Sequence, residues 1–185
     1  SCSYVRGGFC HLTRRRLKRS LKKSLKMSIV IKNLQKAAII NTWQVRKDLI
    51  TLRNIMGLQS FDVGLLFLSK NKMRELNYAH RKIDEATDIL SFPFHQSLTN
   101  ADISKMNLEE KNLGDIFLCP QLIRRKYDVH DFELRSVFVP LLTHGLVHLC
   151  GYAHETEEQY ELMHAKELEI LKRFEKYSGK QFLPL

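Results

Sequence analysis

The chain has 185 residues, 44% of them hydrophobic, which suits one domain with a proper core and is too short for two. No apolar run approaches the roughly 18 residues that a membrane span needs, so membrane insertion is not expected. Thirty Lys and Arg against 20 Asp and Glu give a net charge of +10, but nine of the basic residues lie in positions 1–26, which hold no acid. The other 21 nearly balance the acidic residues, so the domain carries no nucleic-acid signature in its bulk charge.

Residues 1–26 form a basic leader, rich in Arg, Lys and Ser, with Leu17, Leu21 and Leu25 at helical spacing. This composition suits a mitochondrial transit peptide. A disordered basic arm, or upstream sequence foreign to the natural product, remains the alternative; Met27 opens a segment that reads as a natural start. A single domain is expected over 27–185. Cys2, Cys10, Cys119 and Cys150 make no C-x-x-C pair and no disulfide spacing, which fits a reducing compartment.

Ser28–Ile31 is β-branched and alternating, a first strand. Asn41–Met56 reads as a helix, capped by Asn41, striped by Trp43, Val45, Leu49, Leu52 and Ile55, and stopped at Gly57. Phe61–Leu68 reads as a strand buried on both faces. Lys70–His80 follows as a polar helix with Met73, Leu76 and Tyr78 inward. Thr87–Phe94 and Asn112–Cys119 read as two more strands, separated by a polar, aperiodic surface loop over Gln96–Lys111. Phe132–Cys150 is an apolar helix interrupted at Pro140, and Thr156–Tyr177 a long amphipathic one. The predicted class is α+β, a small mixed sheet of about four strands packed against several helices.

The segment THGLVHLCGYAHE carries the chemistry. His144 and His148 are four apart and share one helix face. Gly151 can take positive φ and end the helix, letting the chain return with His154. Three imidazoles with one open position form the ligand set of a catalytic zinc, here one Zn2+ ion. The spacing is reminiscent of the metzincin pattern H-E-x-x-H-x-x-G-x-x-H, but Gly145 stands where a peptidase keeps its general-base Glu. Cys150 is read as a core residue and Glu155 as a carboxylate able to support a ligand. For His11, His80, His95, His130 and His164 an ordinary surface or core role is expected.

Arg81 followed by TDILSFPF (Thr87–Phe94), LGDIFL (Leu113–Leu118), HGLVHLCGYAH (His144–His154), and Met163 with Glu167 together resemble the YbeY-type endoribonucleases of bacteria and eukaryotic organelles. That resemblance implies a zinc ion on His144, His148 and His154, and cleavage of single-stranded RNA. It further implies a part in ribosomal RNA maturation, with the small ribosomal subunit or one of its proteins as partner. It makes Arg81 the basic residue beside the metal, where it would clamp the scissile phosphate, and gives His144 a catalytic place. Asp115 would orient a ligand or RNA, or cap a turn; Ser91–Phe94 would wall the cleft or fill core. Departures from the family pattern are Ala153 for a customary Asp, His80 for an aromatic, and Pro140 within the metal-bearing helix. A zinc peptidase and a non-catalytic ribosome-assembly factor are the rival readings. For the Arg124-Arg125-Lys126 cluster a solvated helix face is favoured over contact with rRNA or a ribosomal protein.

Overall fold

A computed structural model of the protein describes residues 3–4 and 28–184. The leader reading falls outside the described residues, except for a two-residue strand β1 (Ser3–Tyr4), which pairs parallel with the outer edge of β4. The main sheet has four strands: β2 (Ile29–Asn33), β3 (Asp62–Phe67), β4 (Ile89–Pro93) and β5 (Asn112–Leu118). Its order is β4-β5-β3-β2; β3 is parallel to both β2 and β5, and β4 is antiparallel to β5. Among the described residues six α-helices surround it: α1 (Thr42–Ile55), α2 (Lys70–Arg81), α3 (Asn100–Lys105), α4 (Pro120–Tyr127), α5 (Leu134–Leu149) and α6 (Glu157–Ser178). The α+β class and the mixed sheet are as the sequence predicts.

Because successive strand residues point to opposite faces, the clusters beneath the helices locate each face. Val63, Leu65, Phe67, Ile89 and Ile116 belong to the main core, which they share with α1, α5 and α6. Leu90 instead joins Met73 of α2 and Cys119, with Phe92, Phe117 and Leu122 packed around them on the other side. Helix α5, which carries His144 and His148, therefore sits on one face of the sheet and α2 on the other. At β3 the strand is buried on the α5 face only, with Asp62, Gly64 and Leu66 half-buried, so two-sided burial is corrected.

Helix α5 runs unbroken through Pro140 rather than being interrupted there. A mid-helix proline costs about 3 kcal/mol. Val137, Phe138, Val139, Leu141 and Leu142 around it are all buried, each contributing about 1.5–3 kcal/mol, which outweighs the lost bond. Helix α3 and the bounds of helix α4 escape the sequence pattern. Helix α3 lies in the expected loop and starts on a capping box, in which the Thr99 N–H donates to Asp102 Oδ2 at 3.1 Å and the Asp102 N–H to Thr99 Oγ1 at 3.2 Å. Helix α4 starts on Pro120 and ends at Asp128 in the left-handed region. Trp43 and Tyr78, expected inward, are 64% and 54% exposed.

Candidate metal centre

The three histidines come together because α5 ends and turns at Gly151. That glycine has φ +98°, and a Cβ there would meet the Ser97 Cα at 2.7 Å, so both backbone and space require glycine. The turn is tied by the Gly151 N–H to His148 O at 2.9 Å and brings Tyr152 back over the helix end. His154 follows. The ring centroids of His144 and His148 lie 4.5 Å apart, and His154 is 5.5 Å from the first and 5.0 Å from the second. One ligand nitrogen from each lies within 4.8 Å of the others, and among the described residues no fourth His, Cys, Asp or Glu joins the group.

The partners of the rings fix which nitrogens face inward. His148 Nδ1 lies 2.9 Å from the carbonyl oxygen of Tyr152, an acceptor only, so this nitrogen carries the hydrogen and Nε2 is left as a lone pair. His144 Nδ1 lies 2.6 Å from the Glu167 Oε1 of α6, which assigns it the same tautomer. The two Nε2 atoms are then 3.0 Å apart. At that distance either a shared proton or a cation lies between the two nitrogens. A tetrahedral zinc with bonds of 2.0–2.1 Å would hold its nitrogens roughly 3.3 Å apart. The donor set and its spacing fit that ion. His148 is fully buried, whereas the His144 side chain is 13% exposed, so access is from the His144 side.

Gly145 explains itself in the fold. It is buried where α5 packs on the sheet, and a Cβ there would lie 2.8 Å from Ile116 Cδ1 and 3.2 Å from the Ser91 hydroxyl. A glutamate at this position would have to displace the Ile116 and Ser91 side chains, and the glycine supplies no carboxylate. Cys150 is no ligand: burial pushes its thiol up to about 12. Glu155 is exposed, its N–H donating to Gln159 Oε1 at 3.1 Å. The carboxylate that touches one of the three histidines is Glu167 instead. Its signal was present in the sequence, because it sits on the stripe Met163, Ile170, Leu171 and Phe174, the buried face of α6.

Arg81 lies on a different element from the histidines. It ends α2, its Nη1 donating to Asn77 Oδ1 at 3.3 Å, and it lines a cleft of about 470 Å³ with Asn77, Thr87, Asp88, Arg125 and Lys126. None of the three histidines lines that cleft. The basic cluster of α4 divides: Arg124 pins the 33–41 loop through Ala37 O and pairs with Asp131, Lys126 reaches the buried Asp88 at 2.7 Å, and Arg125 faces the cleft. Burial works against the Asp88 charge, but the hydrogen bond and charge of Lys126, with Thr87 and its own backbone, hold its carboxyl below the usual range. Asp115 is exposed on the sheet face opposite α5, its carboxylate lying over Gly64. Ser91 is buried against α5, Phe92 packs on Phe117, and His80 takes an aromatic's place with its ring 4.8 Å from Phe92.

Comparison with known proteins places this geometry. A human protein named endoribonuclease YbeY is 33% identical over 160 residues, spanning 86% of this chain and 95% of its own length. A protein of the same name from Sulfurimonas denitrificans is 35% identical over 118 residues, covering 64% of this chain and 76% of that one. A solution structure of a Thermotoga maritima protein matches 82% of this chain and 95% of its own, with 21% identity and a TM-score of 0.47. The family model described as endoribonuclease YbeY matches residues 30–175, from the first strand of the domain to the last turns of α6 and across all three histidines. The chain belongs to the YbeY endoribonuclease family.

Proposed function

We propose that this protein is a zinc-dependent endoribonuclease that cuts single-stranded RNA, in the maturation of ribosomal RNA and the assembly of the small ribosomal subunit. The observation that carries the metal is the convergence of His144, His148 and His154, one ring nitrogen from each within 4.8 Å of the others. The RNA substrate rests on family membership. His144, His148 and His154 would hold the ion, and three protein ligands leave a fourth position for the reacting group. A zinc ion supplies Lewis acidity toward a phosphate oxygen or a water.

The chain's own groups do the rest. Arg81, at the cleft with Arg125, presents a guanidinium fork matched to a phosphate's paired oxygens and offsets the charge that builds on it during cleavage. The ion pair of Lys126 with Asp88 ties the end of α4 to the start of β4, keeping Arg125 on that cleft. Gly145 offers no carboxylate, so peptide hydrolysis lacks its base. The acid-free basic composition of residues 1–26 supports delivery to the mitochondrion.

The test is substrate selection by the zinc-loaded full chain, offered single-stranded RNA, duplex RNA and casein, each with and without a chelator. Cleavage of single-stranded RNA alone, lost with the metal, is expected. Casein turnover, or RNA left whole by zinc-loaded protein, would overturn the reading.

A further inference from the structure

We infer that Glu167 is the positioning residue of the metal centre, holding the charge and orientation of His144 from the neighbouring helix. The inference rests on the metal-binding part of the function proposed above and not on its RNA substrate. Glu167 projects from α6 with its side chain 5% exposed, and its Oε1 lies 2.6 Å from His144 Nδ1. The nearest basic residue along the helix, Lys166, is turned to Glu169 at 2.8 Å. A carboxylate withdrawn from water to this degree is costly unless positive charge compensates it. The imidazole it touches supplies that charge when the other ring nitrogen binds a cation.

The two ring partners on α5 are therefore unequal. His148 donates to a neutral carbonyl, Tyr152 O, at 2.9 Å, which sets its tautomer and nothing more. His144 donates to a carboxylate, which sets the tautomer and also makes the opposite nitrogen a stronger donor to the metal. The other carboxylate candidates fail on position. Residue 153 is Ala153, Glu155 is exposed, and residue 145 is a glycine packed on Ile116. Glu167 occupies a place on α6 where the helix otherwise buries Met163, Ile170, Leu171 and Phe174. A charge kept in that stripe, with only an imidazole to meet it, has a use beyond packing.

Metal affinity of the full chain, measured with Zn2+ alone by competition against a chromophoric chelator, tests this. The visible spectrum of the Co2+-loaded protein is read alongside it. Glu167→Ala is expected to weaken zinc binding roughly 10- to 100-fold and to shift the cobalt bands, because His144 loses its anchor. Glu167→Gln keeps an oxygen acceptor without the charge, so it is expected to fall between wild type and Glu167→Ala, and it covers the case in which the alanine variant does not fold. A purely structural role would lower the melting temperature of the metal-free protein and leave affinity and spectrum alone. That result in either folded variant overturns the inference, as does a wild type that binds no zinc. A wild type that binds zinc through this pair yet leaves RNA whole removes the nuclease proposal and leaves this one standing.

Discussion

The histidine centre and the Arg81 cleft sit on different supports, and they are built by different rules. At the centre the outward ring nitrogens of His148 and His144 meet fixed acceptors, Tyr152 O and Glu167. The rings are held before any ligand arrives, as a site that must position a metal requires. At the cleft, Arg81 makes a single hydrogen bond among the described residues, to the amide oxygen of Asn77 at 3.3 Å, and Arg125 is exposed. Such groups follow a flexible, charged ligand rather than define its geometry. Rigidity where a bond must break and compliance where a polyanion must be held is the division expected of a nuclease.

The contrast can be broken from the rigid side first. His148→Ala removes a ligand that is fully buried, and zinc affinity should fall by more than the about 100-fold typical of losing a supporting residue, with RNA cleavage lost alongside. Equilibrium dialysis with a metal assay reads the first effect, and a labelled-oligonucleotide assay the second. Arg81→Ala should act oppositely on the two readouts. Zinc content stays at the wild-type value, while the cleavage rate drops roughly 100- to 1,000-fold, as when one charge-stabilising donor is removed. Loss of zinc from this variant would mean that the cleft and the centre are one site.

Gly145→Glu sharpens the packing half of the contrast. The new side chain would enter the contact with Ile116 and Ser91, so stability should fall by about 3 kcal/mol or more, and no peptidase activity should appear. Urea denaturation measures the first and casein turnover the second. Lys126→Met gives the smallest effect, about 1 kcal/mol at neutral pH, since the lysine is half-exposed. Asp88 has a depressed pKa, so what the pair contributes is present above the ordinary carboxylate value of 3.8 and is lost as pH falls through the lower folded value. Thermal melts of wild type and variant should therefore differ at pH 7 and converge below pH 3.8.

What the sequence made legible was local. His144 and His148 declare themselves by a four-residue spacing and Gly151 by its place after the helix, and the structure keeps both features. The helix read over Lys70–His80 and the strands read over Phe61–Leu68 and Asn112–Cys119 are legible within their own segments, although the one-sided burial of β3 is not. What was not legible depended on distant chain. Pro140 stays helical because buried neighbours hold α5 on both sides. The reason for Gly145 lies on β4 and β5, in Ser91 and Ile116, which no spacing rule connects to it. Glu167 was visible as a residue, but its role needed α6 to be laid beside α5, 23 positions away in sequence from the ring it holds. Helix α3 is a different case, because its Thr99–Asp102 box was a local signal that the polar composition of the loop obscured.

The central claim is that the three histidines form one metal centre that RNA cleavage depends on. It is tested most directly by titrating zinc into metal-free protein while following cleavage of a single-stranded RNA, with His148→Ala in parallel. Activity should rise in proportion to bound zinc, reach its plateau at about one ion per chain, and stay at background in the variant. Equal cleavage by metal-free protein, or by His148→Ala, would contradict it.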